Sequence, residues 1–73
     1  MSNRPIRTAA EFGAAIRNAR KQQRLTQREL ALSVGAGERF IVDLESGKET
    51  ARLGKALRVA AALGLKIALE DEA

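Results

Sequence analysis

The sequence predicts a mainly α-helical domain, a small bundle of about four helices followed by one C-terminal strand. Three observations carry that prediction. Two Thr-x-x-Glu boxes, Thr8 with Glu11 and Thr26 with Glu29, have the spacing of reciprocal helix N-caps. Gly35 and Gly64 each close an apolar run of helical period, where a residue free to take positive φ stops a helix. Past Gly64 the apolar period shortens to two, the period of a strand with one buried face.

Residues 1–7 show no periodicity and hold the only proline, Pro5, with Arg4 and Arg7 around it; they read as a flexible basic arm. Thr8 and Glu11 then open a helix expected to run to about Gln23, with Phe12, Ile16 and Ala19 inward and Ala15 beside them. Arg17, Arg20 and Lys21 are assigned to its outer face, with Arg24 just past its end. Thr26 and Glu29 open a second helix from Gln27 to about Val34, flanked by a Leu25/Leu30 staple and burying Leu30, Ala31 and Val34. Gly35 stops it and Gly37 caps a third helix, Glu38 to about Glu45, whose Ile41 and Leu44 point inward with Ala36. Glu38, Arg39, Val42 and Asp43 then face outward, and Phe40 falls at the border, either a core side chain or a contact for a partner. Ser46, Gly47 and Lys48 leave this helix.

Thr50 is placed to cap a fourth helix with Leu53, Ala56, Leu57, Ala60 and Leu63 inward, ended by Gly64. Its Arg52, Lys55 and Arg58 form a solvated basic strip, while Val59 and Ala62 are surplus apolar surface for a second subunit. In residues 65–70, Leu65, Ile67 and Leu69 alternate with Lys66, Ala68 and Glu70. A single strand is an open edge, so its natural partner is the same strand of a second copy, giving a two-fold dimer with Leu65, Ile67 and Leu69 at the interface. The alternative for this stretch is one more helical turn. The expected organisation is thus an arm over 1–7, a helical domain over 8–64, a dimerisation strand over 65–70 and an acidic tail over 71–73.

Composition narrows the function classes. The 73 residues make one domain, and a domain of this size buries only about 60% of its unfolded surface, which favours a dimer. With no Cys there is no disulfide and no thiolate metal site. With no His, Cys or Tyr, catalysis would rest on carboxylates, lysines or hydroxyls, and no cluster has the spacing of such a site, so neither an enzyme nor a metal or cofactor is expected. No apolar run approaches the roughly 20 residues that span a bilayer, and the N-terminus lacks the apolar core of a signal peptide, so the expected location is the cytoplasm with no membrane contact. The net charge is +4 and unevenly spread: Arg4, Arg7, Arg17, Arg20, Lys21, Arg24 and Arg28 face Glu11 alone in the first 28 residues. Residues 29–49 are net acidic.

The stretch from Leu25 to Lys48 resembles the Cro/C1 (XRE) helix-turn-helix family of phage repressors, the lambda repressor-like fold. The family pattern T-Q-x-E-L-A-x-x-x-G…I-x-x-L-E-x-G-K is met by Thr26, Gln27, Glu29, Leu30, Ala31, Gly35, Ile41, Leu44, Glu45, Gly47 and Lys48. The resemblance implies double-stranded DNA as ligand, with the third helix in a major groove. It puts base reading on Gly37, Glu38, Arg39, Val42 and Asp43, and phosphate contact on Gln27, Ser46 and Lys48, with Gln27 also bracing a recognition-helix side chain. Arg39 is the strongest base reader, since an arginine can fork onto guanine O6 and N7. Asp43 fits poorly near phosphates, so it and Glu38 are expected to orient Arg39 or Arg28 through ion pairs. Arg24 and Arg28, nearest the motif, join the phosphate set; Arg17, Arg20 and Lys21 either do the same or complement the helix dipole.

The helix-turn-helix followed by one strand is further similar to HipB-type antitoxins. That likeness implies a homodimer on a pseudo-palindromic operator and a HipA-type serine/threonine kinase toxin as partner. Two alternatives stay open: a stand-alone repressor, and a protein-interaction module whose face of Glu38, Phe40, Val42 and Asp43 binds a protein while DNA contact is incidental.

Overall fold

The computed structural model describes residues 5–71 and contains four helices: α1 (Ala9–Gln22), α2 (Gln27–Val34), α3 (Glu38–Glu45) and α4 (Leu53–Ala62). Met1 to Arg4 and the last two residues of the expected acidic tail lie outside the described residues, so most of the expected arm does too.

Both capping boxes form. In α1, Thr8 Oγ1 accepts from the Glu11 N–H at 3.0 Å, while Glu11 Oε1 accepts from the N–H groups of Arg7 at 2.6 Å and Thr8 at 3.1 Å. Thr26 and Glu29 make the same exchange at 3.0 and 2.8 Å. The Arg7 N–H, with Thr8 adding to it, holds the Glu11 carboxyl below its ordinary range. A carboxyl with a lowered folded pKa stabilises above its unfolded pKa and loses that contribution as pH falls through the folded value. Glu11→Ala is therefore expected to melt below the wild type at neutral pH, the gap closing on acidification. Melts followed by circular dichroism from pH 7 down to about pH 3, below the carboxylate range, would check this; a gap that stays constant with pH would exclude the carboxylate as its source.

The helix ends share one device. Past each helix a residue takes left-handed φ, and the next N–H returns to a carbonyl of the last turn: Gly35 (φ 67°) with the Ala36 N–H on Ala31 O at 2.9 Å, and Gly64 (φ 78°) with the Leu65 N–H on Ala60 O at 3.0 Å. After α1 this position is Arg24, φ 58°, the one non-glycine residue of positive φ among those described.

α3 packs against both α1 and α2, and α4 packs against α2. The core is Ile16 and Ala19 of α1, Leu30 and Ala31 of α2, Ile41 and Leu44 of α3, and Ala56, Val59 and Ala60 of α4, with Leu63 just past it. Phe12, Leu25, Val34 and Phe40 pack at its margin. α1 meets α3 very closely at Gly13, where a Cβ would collide with the carbonyl oxygens of Leu44 and Glu45.

Four expectations need correction. Arg20 is buried rather than on the outer face of α1. Thr50 does not cap α4; the N-cap is Arg52, with no side-chain capping bond. In α4 the buried face is Ala56, Val59 and Ala60, so Val59 belongs to the core, while Leu53 and Leu57 are 69% and 40% exposed instead of inward. Residues 65–71 form no strand and no further helical turn in the single chain: Leu65 packs against the core, whereas Ile67 and Leu69 are 49% and 99% exposed. The reason is the one that makes an isolated strand unstable, since its backbone groups have nothing to pair with in one chain.

Candidate nucleic-acid interface

α2 and α3 are joined by a turn of three residues. Gly35 reverses the chain, Ala36 tucks partly inward and Gly37, extended at φ −77° and ψ 150°, is the N-cap of α3. No side chain caps this end; in its first turn the Phe40 N–H donates to the Gly37 carbonyl at 3.1 Å. Ile41 and Leu44 are fully sunk between α1 and α2, which fixes the rotation of α3 about its own axis. The opposite face carries Glu38 and Arg39, exposed in the first turn, and Val42 and Asp43, half-buried one turn on.

A buried polar network holds this helix from behind. Arg20 Nε donates to Glu45 Oε2 at 2.6 Å and Nη2 to Glu45 Oε1 at 3.0 Å, a two-pronged pair whose side chains are 10% and 4% exposed. The remaining prong, Nη1, donates to Leu25 O at 2.7 Å, and Glu45 raises the Arg20 guanidinium further above its ordinary range through these bonds. Gln27 Nε2 donates to the same Glu45 Oε1 at 3.1 Å. One carboxylate thus joins α1, the start of α2 and the end of α3, and no buried side-chain polar atom among the described residues lacks a partner. The Gln27 bond to Glu45 is the bracing of an α3 side chain that the resemblance implied; reasoning from sequence missed the Arg20 pair, although Arg20 continues the inward i, i+4 row of Ile16 and Glu45 that of Ile41.

On the outer side a second carboxylate organises the cations. Asp43 Oδ1 lies 3.2 Å from Arg39 Nε, one helical turn before it, and Asp43 Oδ2 lies 3.5 Å from Lys48 Nζ. The Asp43 carbonyl accepts from Ser46 Oγ at 2.8 Å and from the Lys48 N–H at 3.0 Å. Phe40 is half-buried, its ring 5.6 Å from Lys55 Nζ of α4, which ties α3 to the fourth helix.

The expected phosphate set is placed as follows. Gln27 is half-buried on α2; Arg28 and Arg24 are exposed, on α2 and on the turn before it; Ser46 and Lys48 are exposed at the exit of α3. Arg17 and Lys21 are exposed on α1, while Arg20 is removed from any surface role. Arg24 adopts a backbone that costs an L-residue about 1–2 kcal/mol and that glycine takes freely. Among the described residues there is no group that could hold a metal ion, and no helix is long and apolar enough to cross a membrane.

Two short helices crossing through a glycine turn, the second with a buried apolar face and an exposed face rich in hydrogen-bonding side chains, define a helix-turn-helix domain. Comparison with known proteins places it more closely. The Helix-turn-helix family model matches residues 16–69, and the chain belongs to this Cro/C1-type family of DNA-binding transcriptional regulators. It is 55% identical over 62 residues to the uncharacterized HTH-type transcriptional regulator y4mF of Sinorhizobium fredii (strain NBRC 101917 / NGR234), covering 85% of this chain and 82% of that one. Among solved structures, it is similar to HipB in a complex of a HipB variant with an O2 20-mer: TM-score 0.87, 25% identity, 99% of this chain and 100% of the other covered. HipB in a HipB-O1-O2 complex is similar at TM-score 0.85 and 25% identity, covering 94% and 100%. A chain of a HipA-HipB-O2-O3 complex shares the fold at TM-score 0.87 and 24% identity, covering 97% and 100%.

Proposed function

We propose that the protein is a sequence-specific, DNA-binding transcriptional repressor that acts as a homodimer, and that it is the antitoxin of a HipBA-like operon. The observation that carries the reading is the pose of α3. Its back is fixed by Ile41, Leu44 and the Glu45 network, while Arg39, 85% exposed, stands in the first turn of the outward face. A helix so held can enter a major groove and read with its N-terminal residues, as repressors of this fold do.

Gly37, Glu38, Arg39, Val42 and Asp43 form the base-facing side, and Gln27, Arg24, Arg28, Ser46 and Lys48 border it as phosphate contacts. The likeness to HipB in complexes with operator DNA at 25% identity supports the ligand. Ile67 and Leu69, left exposed in one chain, support pairing of residues 65–70 across a two-fold axis. Such a dimer sets two recognition helices roughly 34 Å apart, in successive major grooves of a pseudo-palindrome. A HipA-type kinase toxin as partner rests on the resemblance to HipB across almost the whole chain, and binding an operator places the protein in the cytoplasm.

The test is selection of bound duplexes from a random pool at about 150 mM salt, near the physiological value, followed by sequencing. An enriched inverted repeat is expected for the wild type. Arg39→Ala should relax preference at one guanine per half-site, a loss of roughly 1–3 kcal/mol of discrimination, with the fold unchanged. Binding at low salt with no enriched sequence would remove the base-reading role and leave the protein-interaction reading in its place.

A further inference from the structure

Asp43 occupies a place on the outer face that neither base reading nor phosphate contact explains. A carboxylate there is repelled by the DNA backbone, yet this one is only 21% exposed and has cations on two sides. Its approach to Arg39 is at Nε. In a guanidinium held at Nε, the two terminal nitrogens are the pair that can fork onto guanine O6 and N7. The other oxygen of Asp43 lies toward Lys48, whose backbone N–H Asp43 also accepts through its own carbonyl.

We propose that Asp43 is a specificity-determining residue that acts through its neighbours: it orients Arg39 for end-on reading of a guanine and withholds Lys48 from indiscriminate phosphate contact. The inference rests on the DNA-reading proposal above. An i, i+4 pair whose arginine is exposed adds little to stability, so the value of this one lies in restricting the rotamers of a long side chain before it meets a base. The same carboxylate lowers the affinity of the face for any duplex that offers no compensating base contact. Specificity is a difference of two affinities, and Asp43 widens it from both ends.

Asp43→Asn keeps the size of the side chain and removes its charge. Random-pool selection and binding titrations would compare wild type, Asp43→Asn, Arg39→Ala and the double variant, with circular dichroism confirming equal folding. For Asp43→Asn the ratio of selected-site to random-duplex affinity is expected to fall about tenfold, within the range one bidentate base contact supplies. Random-duplex affinity should rise, with a salt dependence steeper by up to about 0.9 on logarithmic axes as Lys48 is released. In the Arg39→Ala background the substitution should have no further effect on guanine preference. Asp43→Glu, which can still reach Arg39, should restore most of that preference. Three results would overturn the role: unchanged base preference in Asp43→Asn, an additive loss in the double variant, or weakened binding to all duplexes alike. A wild type with no preferred site would overturn the reading proposal itself, and this role with it.

Discussion

Arg20→Ala is expected to lose roughly 3–5 kcal/mol of folding stability, because it strands the Glu45 carboxylate at a site only 4% exposed. That is a large share of the total for any domain, commonly about 5–15 kcal/mol and near the low end for a chain this short. Urea unfolding followed by far-ultraviolet circular dichroism is the suitable measurement, as the chain has neither Trp nor Tyr to report by fluorescence. A loss below about 1 kcal/mol would mean that the pair behaves like an exposed one. The paired replacement Arg20→Met with Glu45→Leu separates two roles. Apolar side chains of similar volume often replace a buried ion pair at no net cost, so stability should largely return. Gln27, however, would lose its acceptor, the Glu45 carboxylate, and binding to the proposed operator should stay weaker than in the wild type.

The second large effect is one of sign. Gly13→Ala and Gly54→Ala are the same change inside a helix, and in each the new residue has the higher helix propensity, by up to about 1 kcal/mol. At Gly54 a Cβ meets nothing within 4 Å, so that variant should be more stable by roughly 0.5–1 kcal/mol. At Gly13 the methyl would run into backbone carbonyls at the end of α3, atoms that cannot rotate away as a side chain can. The helices must separate, and overpacking of this kind costs about 1–3 kcal/mol. Opposite shifts in melting temperature are the expected result. Equal stabilisation of both variants would show that α1 tolerates standing further from α3. Because α1 backs α3, Gly13→Ala should also weaken binding to the proposed operator in whatever fraction remains folded.

What could be read from the sequence followed the range of the interaction concerned. The capping boxes at Thr8 and Thr26 and the stops at Gly35 and Gly64 are decided within a few residues, and the structure bears them out. The reach of α2 and α3 and the inward set Leu30, Ala31, Ile41 and Leu44 follow from helical period, and they too are observed. Arg20 escaped because charge alone argued for the surface; its partner is 25 residues away, and only the fold brings the two together. In α4 more positions are apolar than one face can bury. Which of Leu53, Leu57 and Val59 goes inward depends on where α2 lies, not on the spacing within α4. The alternation in residues 65–70 is genuine, but one chain offers it no pairing edge. The outer face of α3 was legible through the same helical spacing, and the ion pair of Asp43 with Arg39, one of the two arginines expected, through the misfit of a carboxylate beside phosphates.

The Arg20 and Glu45 pair has a bearing on how such a chain can change over generations. Replacing either partner alone passes through a form with an orphaned buried charge, whereas replacing both together need not. Lineages descending from this sequence should therefore alter the two positions in concert or leave both untouched. Hybrids that splice α1 of one relative onto α3 of another should survive only when the two halves carry matching partners. An alignment deep enough to detect covariation, or a small library of such hybrids screened for soluble expression, would reveal that constraint directly.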